Sequence, residues 1–162
     1  VAGYLAFTVN EDGTSQNDAR REEARKILEA IRRDFDEVRP EGAITLHETL
    51  ELDGYGAVRA GLAARKRDTD KHWWEVRDEW IEEVNGVGGL SFLNDEGFRY
   101  YLPAYMSYWL RTGYETGSLR YFIAGSRKYR YRLFNAAQRI TIARFVKFVH
   151  RSFPPLGSPS IE

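Results

Sequence analysis

From Leu90 to Leu110 the chain reads LSFLNDEGFRYYLPAYMSYWL, and no other stretch constrains its fold as strongly. Seven of these residues are aromatic (Phe92, Phe98, Tyr100, Tyr101, Tyr105, Tyr108 and Trp109), and each favours burial because of its large apolar surface. Asn94 followed by Asp95 and Glu96 has the form of a helix start. The amide side chain can accept from a free backbone N–H, and acidic groups sit well at the positive end of the helix dipole. Pro103 lies inside the continuing pattern, where a missing donor and a ring clash predict a kink or a division of the helix. The segment is therefore expected to be the packing centre of the molecule, with the remaining elements arranged around it.

Those elements are mostly helical in pattern. Ala24, Ile27, Leu28, Ile31, Phe35 and Val38 recur at spacings of three and four, which predicts a helix over about 18–38, stopped by Arg39-Pro40-Glu41-Gly42. Thr45 and Glu48 match a capping box, so a short helix should begin there and end near Asp53-Gly54. Residues 57–67 read as a second short helix, and another should begin at Asp78. Asn85 to Gly89 reads as a loop. Arg127 to Phe134 alternates basic and apolar residues with period two and suits a short extended segment. Asn135 and Gln138 form a second capping box, opening a helix with Ile142, Phe145, Val146 and Val149 on one face and Pro154-Pro155 as its stop. The expected fold is mainly α: a single compact domain of five or six helices with at most one small β element near 118–134. Residues 1–17 read as an N-terminal extension, 18–153 as the helical domain and 154–162 as a frayed tail.

Composition agrees with a folded globule, since 43% of the 162 residues are hydrophobic and 14% are aromatic. Cysteine is absent, which excludes a disulfide framework, a thiolate metal site and a Cys nucleophile. No apolar run approaches the roughly 20 residues of a membrane span. Val1 to Val9 lacks the basic leader and cleavage site of a signal peptide, so a soluble cytoplasmic protein is expected. The zero net charge conceals an asymmetry: residues 1–110 carry 14 basic and 22 acidic side chains, residues 111–162 carry 10 and 2. Either the basic half docks on the acidic half, or one charged face is offered to a partner.

The run Phe92-Leu93 followed by Glu96-Gly97-Phe98-Arg99-Tyr100-Tyr101-Leu102-Pro103-Ala104-Tyr105-Met106 resembles the hallmark of a bacterial domain-of-unknown-function family. Leu46-His47-Glu48, Asp53, Tyr55-Gly56, Trp74, Val76, Ile81, Phe134, Gln138 and Ala143-Arg144-Phe145 fit the same pattern. The likeness spans roughly residues 20 to 150. It implies a small, largely helical single domain and brings with it no catalytic residue, cofactor or partner.

The residues themselves argue against several chemistries. His47, His72 and His150 are far apart, and His47-Glu48 lacks the second histidine of a zincin. A gathering of His47, Glu48, Asp53 and Asp70 has no ligand spacing in its favour, so neither a metal nor a cofactor is expected. His47 reads instead as an exposed imidazole beside a capping glutamate. Gly86-Val87-Gly88-Gly89 lacks the Lys-Ser/Thr of a phosphate loop, and Ala124-Gly125-Ser126 lacks the second glycine of a nucleophile elbow.

Three readings of function remain. The first is a small macromolecule-binding module, an interaction or regulatory protein of immunity type, with Trp73, Trp74, Arg99, Tyr105 and Trp109 as contacts wherever they are exposed. Its partner would be another protein, with no membrane involved. The second is a small enzyme or anion-binding protein with a pocket around Glu96, Arg99 and Tyr100, joined by His47, in which Arg99 holds the anion and Glu96 or His47 transfers protons. Burial in the core, with Arg99 paired to Glu96 or bonded to carbonyls near Pro103, is the alternative for that set. The third is weak nucleic-acid binding through Arg127, Lys128, Arg130 and Arg132, interleaved with Tyr129 and Tyr131; a neutral chain without a nucleic-acid motif makes it the least favoured.

Overall fold

A computed structural model describes residues 13–53, 58–84, 89–116, 119 and 131–153. Every regular element among them is helical: α1 (Gly13–Asp34), α2 (Leu46–Asp53), α3 (Val58–Ala64), α4 (Asp78–Val84), α5 (Gly89–Phe92), α6 (Asp95–Thr112) and α7 (Ala136–Ser152), with single 3-10 turns at Arg65–Arg67 and Trp73–Glu75. No strand occurs among the described residues. Residues 131–135, the described end of the expected extended segment, form a tight turn instead, and the rest of that segment lies outside the described residues.

The central element is α6. Asn94 caps it as expected, accepting from the Gly97 N–H at 2.9 Å, and Gly113 closes it in the left-handed region (φ 75°). It runs from Asp95 to Thr112 as one helix through Pro103 and is not divided there. Phe98, Tyr100, Tyr101, Leu102, Tyr105, Met106, Tyr108 and Trp109 are all buried along it. At roughly 1.5–3 kcal/mol for each large side chain taken from water, this helix is the main source of hydrophobic stabilisation.

Asn94 also fixes α6 to the chain before α2. Its Oδ1 accepts from the Ile44 N–H (2.8 Å) and its Nδ2 donates to the Gly42 carbonyl (2.6 Å). This approach explains the glycine of the motif, because a Cβ at Gly97 would stand 2.6 Å from the Ile44 carbonyl oxygen. Helix α1 packs on both α6 and α7, while α2 packs on α3, α4 and α5. The start of α1 is earlier than the periodicity predicts, and Phe35 to Glu37 leave it as a turn while Phe35 and Val38 stay in the core. The α1–α7 contact is sealed by polar links: Gln138 Nε2 donates to the Asp34 carbonyl (3.1 Å) and the Thr141 hydroxyl to the Asp34 carboxylate (2.5 Å). Asn135 and Gln138 form the reciprocal cap at the start of α7. Trp109 meets Phe145 edge-on (5.7 Å between centroids), closing α6 against α7.

Candidate functional site

At the start of α2, the Thr45 N–H donates to Glu48 (3.1 Å) and the helix begins as predicted. The next side chain departs from expectation. His47 has 0% of its side chain exposed, so it is not a surface imidazole. The Asp68 carboxylate reaches it from the loop after α3, accepting from the His47 backbone N–H at 3.0 Å and lying 2.6 Å from its Nδ1. The Nε2 edge faces Glu83 at 3.5 Å, and Arg67 grips the same Glu83 carboxylate with two contacts of 2.9 and 2.8 Å. The Trp80 ring meets the imidazole edge-on at 5.6 Å. The arrangement joins α2, the 68–70 loop and α4 through one buried side chain.

Two residues on, half-buried Asp70 has both carboxylate oxygens shielded from solvent and neither hydrogen-bonded. The Tyr100 hydroxyl turns toward it without reaching full hydrogen-bond geometry. Burial raises the Asp70 carboxyl above its ordinary range; Tyr100 works against this, and the charges of Asp68 and Glu75 add to it. The Tyr100 hydroxyl is pushed up as well, by burial and then by the neighbouring carboxylate. The Tyr105 hydroxyl is buried without a hydrogen bond, and its pKa is raised mainly by burial.

The residues expected to form an anion pocket therefore do not converge. His47 and Tyr100 both face the 68–70 loop inside the protein, Glu96 is on the surface beside Gly42, and no ion pair joins Glu96 to Arg99. Arg99 is half-buried, and its Nε lacks a hydrogen bond among the described residues. A general acid or base must reach a substrate atom, and a fully enclosed imidazole cannot. Among the described residues no group of three or more His, Asp or Glu side chains is placed to hold a metal ion.

Of the aromatic candidates, Trp73 (4% exposed), Tyr105 (2%) and Trp109 (1%) are core residues, so they present no contact surface. The Trp73 indole N–H donates to the Phe35 carbonyl at 3.0 Å. Trp74 is different. It is half-buried and clamped on both faces: His72 stacks on it at 4.3 Å with an interplanar angle of 6°, and the Arg32 guanidinium lies 3.2 Å from its ring centroid. It lines a cleft of about 470 Å³ between the 73–79 segment and α6, whose walls include Arg77, Glu79, Ala104, Ser107 and Arg111. The bidentate pair of Arg111 and Asp78 (2.9 and 2.6 Å) fixes one side of it.

Part of the charge asymmetry is internal among the described residues. Arg111 pairs with Asp78, Arg132 with Asp95 (2.7 Å) and Arg151 with Glu23 (2.5 Å), so basic groups of the second half dock on acidic groups of the first. Arg132 is thus engaged within the fold, while Arg127, Lys128 and Arg130 lie outside the described residues. No helix among the described residues is long and apolar enough to cross a membrane.

The model of a family of unknown function, DUF6714, matches residues 23–156. No curated protein and no solved structure matches the chain.

Proposed function

The chain belongs to that family of unknown function, and from the geometry we propose that it is a protein-interaction module whose contact site is the Trp74 cleft. The observation that carries this reading is the double clamp on Trp74 by Arg32 and His72. Ordering a free aromatic side chain at an interface costs entropy, and a ring already held from both faces has met that cost before the partner arrives. Tryptophan and arginine are also the residues that most often dominate binding energy at interfaces. Mixed charges at the cleft rim, Arg77 and Glu79 among them, would orient a protein partner.

The test is a pull-down from source-cell lysate with the tagged full chain and its Trp74→Ala variant, read by mass spectrometry, with melting temperatures recorded for both. Support would be a stoichiometric protein that the variant loses while its melting temperature stays within a few degrees. Equal recovery of that protein by both chains, or recovery of nothing by the native chain, would overturn the assignment.

A further inference from the structure

Helix α7 carries four Lys/Arg residues and His150, with no acidic residue over Ala136–Ser152. Its inward side, with Thr141, Phe145, Phe148 and Val149, is buried in the core. Arg139, Ala143, Lys147, His150 and Arg151 fall on the outward arc at spacings of three, four and eight. Together with Tyr131, Ile142 and Val146 they line a groove of about 710 Å³. Ile140, 54% exposed, falls on the same arc of the helix.

The cations differ in how far they are already engaged. Arg151 pairs with Glu23, and Arg139 donates to the carbonyls of Phe134 (2.9 Å) and Tyr131 (2.8 Å) with no carboxylate opposite it. Lys147 meets no acidic partner among the described residues, and the exposed His150 imidazole lies beside it in the groove. Positive potential with an apolar floor is thus left on a helix whose opposite side is already committed to the core.

We propose that this groove along α7 is a docking site for an acidic amphipathic helix of another protein. From Arg139 to Arg151 the cations extend about 18 Å along the helix axis, the length of roughly twelve helical residues, so one acidic helix laid alongside can meet all of them. Leucine or similar side chains on its inner face would cover Ala143 and Val146, while its carboxylates pair with Lys147 and the rim. A nucleic-acid strand fits less well, because its phosphates offer nothing to the apolar floor and the unengaged cations are few for counterion-driven binding.

The test uses a fluorescein-labelled 14-residue peptide with Leu and Glu at helical spacing, titrated with the full chain and read by anisotropy. Comparison ligands are the same peptide with Lys for Glu, the same peptide with Ser for Leu, and a single-stranded oligodeoxynucleotide. The expected result is saturable binding of the Leu/Glu peptide, weakened at least about tenfold by the double substitution Lys147→Glu and His150→Glu, with the melting temperature unchanged. The Ser-for-Leu peptide should also bind at least about tenfold more weakly, because the floor is apolar. Trp74→Ala should leave this binding intact, so the two surfaces stand or fall separately. Absence of saturable binding up to about 100 µM, equal binding of the Lys peptide, tighter binding of the oligonucleotide, or loss of binding in Trp74→Ala would each overturn the proposal.

Discussion

Replacing Asp68 by alanine removes the side chain that the interior around α2 depends on most. The carboxylate is 1% exposed and accepts from two donors of the same residue, the His47 N–H at 3.0 Å and the Nδ1 edge at 2.6 Å. Removing it orphans a buried N–H, at about 1–3 kcal/mol, and breaks a buried polar pair, for which the full loss is about 3–5 kcal/mol. The two costs overlap, so a total near 4 kcal/mol is expected. With a urea m-value of about 2 kcal/mol/M, the unfolding midpoint should fall by about 2 M. Asp68→Asn keeps one acceptor oxygen in place and should lose about half as much. The decisive comparison is the cycle of Asp68→Ala, His47→Ala and the double variant, followed by urea titration on tryptophan fluorescence. A coupling near 2 kcal/mol is expected, because each single change already removes most of what the pair contributes. Additive single effects, or a loss below about 1 kcal/mol in Asp68→Ala, would refute the assignment of this pair as the link between α2 and the 68–70 loop.

Gly97→Ala places a Cβ 2.6 Å from the Ile44 carbonyl oxygen and 3.0 Å from the capping Oδ1 of Asn94, so a loss of about 1–3 kcal/mol is expected. Gly61→Ala, whose Cβ would meet only the Glu48 side chain, at 3.5 Å from Cγ and 4.0 Å from Oε1, should hold or slightly raise the melting temperature; equal effects at the two glycines would contradict the close-approach argument. Asp70 binds its proton more tightly in the folded chain than in the unfolded one. Its contribution to stability is therefore present below about pH 3.8 and is lost as pH rises through the folded value. Asp70→Asn should melt higher than the native chain at neutral pH, with the gap closing as pH falls through the folded value of Asp70 and gone below about 3.8, and a pH-independent gap would exclude burial of the carboxyl as its origin.

Elements whose cause lies within a few residues were legible in the sequence. Asn94 and Asn135 cap their helices as their side chains predict, α2 opens where the box places it but with only its Glu48 half formed because the Thr45 hydroxyl makes no hydrogen bond, and the aromatic run is the core helix. Expectations that depended on distant parts of the chain were not recoverable in the same way. Local pattern places His47 at the surface because its partner, Asp68, lies 21 positions on, in an Asp-Thr-Asp loop that the same pattern marks only as a break. Glu96, Arg99 and Tyr100 share one turn of helix, yet that turn points its members to different places: Tyr100 to the interior, Glu96 to solvent. Helical spacing fixes which side chains share a face, and the remaining elements decide whether that face is wet or dry. Trp73 and Trp74 show the same limit, since adjacent identical residues end with one in the core and the other at a cleft.

The pairing of α1 with α7 has a consequence for how the protein is made. Gln138 bonds to Asp34 across 104 positions, and Thr141 across 107. At about 5–20 residues per second, α1 is complete on the order of five to twenty seconds before the residues that cover Asp34 have been synthesised. Through that interval Ile27, Ile31 and Phe35 have α6 to pack against only in the later part and α7 not at all. The nascent chain therefore carries an exposed apolar helix for most of its synthesis, a surface suited to chaperone capture, and the final docking step waits on the last described helix to leave the ribosome.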